Sequence, residues 1–252
     1  MSTLATKSLL PAFLKTLGIL YFYIFVGLLL DSPLAEQYLS NPQEVANGIM
    51  LVVFSIVMWR STTKTRELLV YAVIIGFVGE YLFSILLGMY TYRLNNIPHY
   101  IPPAHALVYL GVLLFSKNVG VKQHKLLLEK IFTVIIIGYA TLCLAIYTDV
   151  FGFVLTVATL LILRNKPRER LFYLTMYVTV AYLEFVGTGY KCWYWPSTAF
   201  DYFTFLPSAN APSGISFFYF GLDLGCLWLY KKRHKLAWGR MKMQRQLRLE
   251  RG

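Results

Sequence analysis

Residues 68–89 read LLVYAVIIGFVGEYLFSILLGM, an apolar run of 22 residues that carries one charged side chain, Glu80. A helix needs about 20 apolar residues to cross the roughly 30 Å of hydrocarbon in a bilayer. The run therefore predicts a transmembrane helix with a carboxyl group inside it.

The composition of the whole chain points the same way. Its 252 residues are 57% hydrophobic and only 14% charged, a balance that excludes an ordinary soluble domain. Cys143, Cys192 and Cys226 form no CxxC motif, which argues against a disulfide framework and against a zinc ribbon. We therefore expect a helical membrane protein.

Apolar segments of this kind recur along the chain, separated by charged or turn-forming clusters. We count eight, at residues 11–30, 46–59, 68–89, 103–118, 131–148, 150–163, 171–189 and 213–230. This pattern predicts an all-α, polytopic protein with about 8 transmembrane helices. The second and sixth segments hold only 14 residues each, below the usual spanning length. We expect residues 1–230 to form a single membrane domain, with a turn at Asp149, and residues 231–252 to form a basic tail.

The distribution of charge predicts the topology. The chain has 24 Lys and Arg against 12 Asp and Glu, and basic residues concentrate in cytoplasmic loops. With both termini inside, 22 of the 24 fall on the cytoplasmic side, and only Arg93 and Lys191 fall outside. We therefore predict a multi-pass integral membrane protein with cytoplasmic termini and no nucleic-acid partner. The basic tail is predicted to meet anionic lipid.

An internal repeat is visible at an offset of 104 residues. It aligns Gly48 with Gly152, Arg60 with Arg164, Arg66 with Arg170, and Glu80 with Glu184. Membrane proteins often arise by duplication, so we interpret residues 1–118 and 119–230 as two four-helix halves in the same orientation. The alternative is that membrane helices resemble one another by composition alone.

Acidic residues inside the predicted helices are the first candidates for function, because an ionisable group in hydrocarbon is costly to retain. Three qualify, Glu80, Glu184 and Asp223. Glu80 and Glu184 each lie 14 residues after an arginine at the cytoplasmic boundary, about 21 Å away at the helical rise of 1.5 Å. Asp223 is predicted to lie deeper, towards the cytoplasm. The alternative for each acid is a structural hydrogen bond to a neighbouring helix.

Other polar and aromatic residues are predicted to share the depth of the two glutamates. His105 follows Pro103, which we expect to start the fourth helix, and it is a candidate for proton transfer. The outer loop 190–212 is rich in aromatic residues and is predicted to form a re-entrant cap over a pocket. The predicted catalytic residues are Glu80, Glu184 and His105, and the predicted substrate-binding residues are Tyr90, Tyr92, Trp193, Trp195, Asn210 and Asp223.

This sequence lacks the motifs of several common enzyme classes. There is no GxxxxGK, GxGxxG, HExxH or GxSxG motif, so nucleotide, dinucleotide, zinc-protease and serine-hydrolase sites have no local support. Four histidines are too few for a membrane di-iron enzyme. We predict no cofactor and no metal site.

One arrangement resembles a known family. The motif residues are Glu80, Gly88, Tyr90, Tyr92, Pro98 and Pro102, followed by Glu184, Trp193, Trp195, Pro207, Asn210 and Gly214. Their layout is similar to that of the integral-membrane carotenoid-biosynthesis proteins that include carotenoid hydratases. The resemblance covers residues 76–115 and 180–220. It implies addition of water to an isoprenoid double bond, with Glu80 and Glu184 as the acid and base candidates.

Physical reasoning on the acids gives a broader set of functions. A carboxylic acid surrounded by hydrocarbon can stay protonated and deliver its proton to an alkene, while a second acid activates water or stabilises the carbocation. Hydration and cyclisation of an apolar isoprenoid or lipid are both compatible with this step. A proton-coupled transporter or lipid flippase is an alternative function, and a non-catalytic membrane factor is another.

Overall fold

Helices dominate the computed structural model, which describes residues 9–236 together with Gly239 and Met243. The helices within this part of the chain are α1 Leu9–Leu30, α2 Pro33–Glu36, α3 Pro42–Arg60, α4 Thr63–Leu86, α5 Ile101–Lys117, α6 Val119–Gln123, α7 Lys125–Tyr147, α8 Val150–Arg164, α9 Arg170–Gly189 and α10 Tyr219–Arg233. A short 3-10 helix, Ile215–Phe218, leads into α10. The strands are β1 Thr91–Tyr92, β2 Trp193–Tyr194, β3 Thr198–Ala199 and β4 Phe203–Pro207. Two stretches, Leu14–Gly18 in α1 and Tyr81–Leu86 in α4, are wound as π-helix.

Each of the eight predicted apolar segments coincides with a helix, namely α1, α3, α4, α5, α7, α8, α9 or α10. Within the described residues, α1, α3, α4, α7 and α9 are long and apolar enough to cross a membrane, whereas α5 and α8 are apolar but shorter. The all-α class is therefore confirmed, and the chain has the helices of a membrane-embedded protein. The predicted tail, 231–252, lies mostly outside the described residues.

Several helices begin at other residues than predicted: α7 begins at Lys125 and not at 131, and α10 begins at Tyr219 and not at 213. α3 has 19 residues because it begins at Pro42, four residues before the predicted segment. Proline fits the first turn of a helix, where its missing N–H has no partner to lose. The predicted turn at Asp149 is confirmed: α7 ends at Tyr147, and Thr148 follows in a left-handed conformation with φ 52°, which ends a helix.

α9 lies at the centre of the bundle. In its most apolar stretch, 61% of the residues are buried, against 17–28% in the other four long apolar helices. It packs on α1, α5 and α7, and α4 packs on α5 and α10. The face of α4 that carries Glu80 and the face of α9 that carries Glu184 therefore belong to one core.

Two fully buried aspartates fix the loops at one end of the bundle. Asp31 follows α1 and accepts hydrogen bonds from Gln43 Nε2 (3.2 Å), Arg93 Nη2 (3.1 Å) and Tyr100 OH (2.6 Å). These donors come from α3, from the α4–α5 loop and from the residue before α5. Asp31 thereby joins four segments of the first half of the chain.

Cys192 lies beside this cluster and packs as a buried thiol. Burial first, and then the charge of Asp31, raises the pKa of Cys192 to about 12, while Arg93 opposes the shift. The thiol therefore keeps its proton and donates it to the Leu28 carbonyl oxygen at 3.3 Å.

Asp149 has the corresponding role in the second half. Its carboxylate accepts backbone N–H groups from Gly152 (3.1 Å), Ala209 (3.1 Å) and Ser213 (2.7 Å). The first bond caps the start of α8, and the other two hold the loop before α10. The backbones are close here, because a Cβ on Gly214 would come within 2.2 Å of the Gly152 carbonyl oxygen.

We predict that Asp149→Asn destabilises the fold by about 2 kcal/mol, because an amide N–H₂ would face a buried backbone N–H that then has no acceptor. Chemical denaturation in detergent micelles, followed by tryptophan fluorescence, measures the loss. Asp201→Asn is the matched control, since Asp201 is exposed, and its effect should stay within about 0.5 kcal/mol. Equal stability of the two variants would contradict the role given to Asp149.

Candidate functional site

Glu80 lies in α4 at the point where the α-helix passes into the π-helical stretch, and it is 3% exposed. Its Oε1 lies 2.7 Å from His105 Nε2. Its Oε2 accepts hydrogen bonds from Tyr90 OH at 2.8 Å and from Tyr92 OH at 2.7 Å. Both oxygens of this carboxyl group are therefore engaged by side chains.

The local backbone explains how the two tyrosines reach Glu80. Gly88 has φ +57°, in the left-handed region that glycine adopts without steric cost, and it reverses the chain after α4. Tyr90 and Tyr92 then return beside the helix that they have just left.

His105 lies in the second turn of α5, which begins at Ile101, two residues before the predicted start. The imidazole packs edge-on against Tyr219 of α10, with 5.3 Å between ring centroids. Gly76 of α4 provides the space, because a Cβ there would lie 3.2 Å from His105 Cδ2. Three helices therefore fix His105 against Glu80.

Glu184 lies in α9 and is 7% exposed. Its Oε2 accepts indole N–H groups from Trp193 at 2.8 Å and from Trp195 at 3.0 Å. Its Oε1 makes no hydrogen bond to any residue that the structure describes. Gly187 makes room for the indole, since a Cβ there would come within 2.0 Å of Trp193 Cζ2.

A short antiparallel pairing brings the two glutamate clusters together. β1 pairs with β2, with Thr91 opposite Tyr194 and Tyr92 opposite Trp193. The ring centroids of Tyr90 and Trp195 are 4.7 Å apart, and those of Tyr92 and Trp193 are 6.1 Å apart. The donors of Glu80 therefore pack directly on the donors of Glu184.

Both clusters line one cavity of about 530 Å³, within the range of about 300–1,000 Å³ that is usual for small-molecule sites. Aliphatic and aromatic residues from α1, α3, α4, α5 and α10 form most of its wall. Its polar end holds Glu80, Glu184, His105, Tyr90, Tyr92, Trp193 and Trp195. All three predicted catalytic residues and four of the six predicted substrate-binding residues are thus in one place.

Asn210 and Asp223 are placed elsewhere. Asn210 is exposed, and its Oδ1 accepts the Trp195 backbone N–H at 3.0 Å, so it positions a cavity residue from outside. Asp223 is buried in α10, and its Oδ2 accepts the Tyr173 hydroxyl at 2.6 Å. The described residues that line the cavity include neither of them, so these two residues do not contact a ligand there.

The aromatic outer loop is divided between two positions. Trp193 and Trp195 turn into the cavity wall, as a cap would require. The β3–β4 hairpin instead packs on α8, with Phe200 against Phe151 at 5.8 Å, and exposes Tyr202 and Phe205. The predicted re-entrant cap is therefore limited to the segment around β2.

Sequence reasoning missed Tyr219, which lines the cavity beside His105. No local signal marked Tyr219, since tyrosine is common throughout this chain. Sequence reasoning gave no role to Asp31 and only a turn to Asp149, although both are fully buried.

Comparisons of the chain with protein-family models, with curated proteins and with solved structures gave no match.

We predict that Gly187→Ala displaces the Trp193 indole from Glu184, because the new methyl group would overlap the ring. Overpacking of this kind costs about 1–3 kcal/mol, which unfolding in detergent would register. Gly189→Ala is the control, since no atom lies within 4 Å of a Cβ at that position. Equal stability of the two variants would contradict the packing described around Glu184.

Proposed function

We propose that this protein is an integral-membrane enzyme that performs acid/base chemistry, hydration or cyclisation, on a double bond of an apolar isoprenoid or carotenoid-like substrate. The observation that carries the proposal is a single apolar cavity that reaches two carboxyl groups with different hydrogen-bond environments. The resemblance to carotenoid hydratases agrees with it.

The two glutamates take different roles in this proposal. Trp193 and Trp195 supply only donors, so a proton on Glu184 belongs on Oε1, the oxygen with no donor in the described chain. Oε1 is then the atom that gives its proton to the substrate. Glu80 receives two phenol donors on one oxygen and contacts His105 on the other, the surroundings of a group that accepts protons. Pairs of acids in unequal environments commonly divide acid and base work in this way.

The proposed reaction begins with transfer of the Glu184 proton to one carbon of the alkene, which leaves a carbocation and the Glu184 carboxylate. In hydration, water forms a C–O bond to the cation and loses a proton to the Glu80–His105 pair. In cyclisation, a second double bond attacks the cation, and the same pair removes a proton from carbon. Return of that proton to Glu184 completes either cycle, so no proton is consumed overall.

The lining of the cavity suits a cationic intermediate. The faces of tyrosine and tryptophan rings attract positive charge, and Tyr90, Trp195 and Tyr219 lie at the end that holds the acids. The largely apolar wall keeps bulk water away from the cation. A linear hydrocarbon chain fits such a wall without leaving polar groups unpaired.

The proposal includes eight membrane spans with both termini in the cytoplasm, as the charge distribution predicts. Arg66 and Arg170, which are aligned by the 104-residue offset, support equivalent cytoplasmic ends for α3 and α8. Arg66 donates to the carbonyl oxygens of Met58 and Trp59, and Arg170 donates to those of Leu163 and Arg164. Each arginine therefore closes the end of the preceding helix.

We also propose the parallel 4+4 repeat. Glu80 is bound by aromatic donors 10 and 12 residues later, and Glu184 by aromatic donors 9 and 11 residues later. Two acids held by equivalent loops, which pair with each other through β1 and β2, agree with a duplicated four-helix unit.

A proton-coupled transporter would need polar groups that lead from the glutamates towards the cytoplasm. Asp223 is the predicted acid at the deeper position, but it is bonded to Tyr173 and does not line the described cavity wall. This placement favours the enzyme over the transporter.

We predict that membranes containing the wild-type protein, incubated in D₂O with an acyclic carotenoid, yield a product with one carbon-bound deuterium. Hydration also adds the mass of one water, whereas cyclisation does not. Glu184→Gln should lower the rate at least about 100-fold, since amides do not act as general acids. Mass spectrometry of the extracted pigment measures both effects.

Glu129→Gln is the matched control, because Glu129 is another buried glutamate, in α7, away from the cavity. It should retain wild-type turnover. Undiminished turnover by Glu184→Gln at wild-type expression would remove Glu184 as the acid. Absence of carbon-bound deuterium with every acyclic isoprenoid tried would contradict the enzyme.

A further inference from the structure

The cavity is long and runs parallel to the helices. On α1 its lining extends from Lys15 to Leu30, and on α5 from Ile101 to Leu114, in each case about 20 Å at 1.5 Å per residue. α1 and α5 run in opposite directions here, because Leu20 contacts Gly111 and Tyr100 contacts Asp31 at the other end. The space therefore covers about two thirds of a hydrocarbon layer of roughly 30 Å.

The two ends of this slot carry different polar groups. The glutamates occupy one end, and Lys15 of α1 lines the other. Thr16 beside it already donates its hydroxyl to the Ala12 carbonyl oxygen at 2.7 Å. Lys15 makes no ion pair with any described residue. Its ammonium group is therefore available to an anion at the end of the slot opposite the glutamates.

The slot opens sideways towards the surrounding lipid. Several lining residues are also exposed on the outer surface, so they form its rim: Tyr23 on α1, Ile49 on α3, and Val78 and Leu82 on α4. α3 covers this side loosely, because its buried residues, Pro42, Gln43 and Ala46, all lie in its first two turns. A chain dissolved in the bilayer can enter without crossing water.

From these three features we propose the substrate class: a linear isoprenoid lipid with an anionic headgroup. Its headgroup binds at Lys15, and its chain lies along the slot, so that a double bond near the far end of the chain meets Glu184. Charge complementarity fixes this orientation, since Lys15 offers the headgroup a cation, whereas the other end of the slot holds acidic groups. This inference rests on the proposed function and adds to it the headgroup, the orientation and the route of entry.

Spin-labelled stearate in nanodiscs tests the assignment without an activity assay. Trp59, Trp228 and Trp238 are changed to Phe, which leaves Trp193 and Trp195 as the fluorophores at the glutamate end. We expect 16-doxyl-stearate, with its nitroxide at the chain end, to quench them more strongly than 5-doxyl-stearate. We expect the methyl ester of 16-doxyl-stearate to bind about fivefold more weakly than the acid, the value of one partly screened ion pair.

Lys15→Met should remove the difference between acid and ester, and Lys130→Met, an exposed lysine on α7 away from the slot, should preserve it. Hexadecyl phosphate should compete with the labelled acid, and hexadecanol should compete less well.

Equal binding of acid and ester overturns the headgroup assignment while leaving the proposed catalysis intact. Stronger quenching by the 5-doxyl label overturns the orientation, and no quenching by either label overturns the slot as a lipid site. Charge-dependent binding combined with an active Glu184→Gln variant would instead refute only the proposed catalysis.

Discussion

The antiparallel pairing of β1 with β2 is the contact on which the site depends. It joins two residues from the α4–α5 loop to two residues that follow α9. Tyr90 and Tyr92 on one side bind Glu80, and Trp193 and Trp195 on the other bind Glu184. One small backbone pairing thus fixes four aromatic side chains, two carboxyl groups and the polar end of the cavity.

Burial makes this pairing necessary. A carboxyl group inside a helical bundle costs several kcal/mol unless hydrogen bonds replace the water that it has lost. Both halves of the chain meet the cost with aromatic donors, but the donors differ in kind. Phenols and an imidazole can exchange protons, whereas indole N–H groups can only donate. The partners of Glu80 can therefore take up and release a proton, whereas those of Glu184 cannot. The proposed division into acid and base rests on this difference.

The sequence alone predicted the helices well, because hydrophobic runs of this length are strong signals. It also singled out seven residues that line the cavity, namely Glu80, Glu184, His105 and the four aromatic donors. A charged or polar group among apolar residues is costly to bury without partners. It could not show that Asp223 lies away from the cavity, because depth along α10 does not determine which neighbours its side chain meets. The roles of Asp31, Asp149 and Asn210 depended on loop conformation, which local composition does not encode.

Disulfide formation between Thr91→Cys and Tyr194→Cys measures the β1–β2 pairing most directly. Opposed residues in antiparallel strands have Cα atoms about 4.5–5.5 Å apart, which suits a disulfide, and neither side chain is buried. We predict rapid intramolecular crosslinking of this pair under mild oxidation, seen by mass spectrometry of the linked peptides. Thr91→Cys with Tyr202→Cys, on the exposed hairpin, should not crosslink. Failure of the first pair to crosslink in folded protein would contradict a shared site for Glu80 and Glu184.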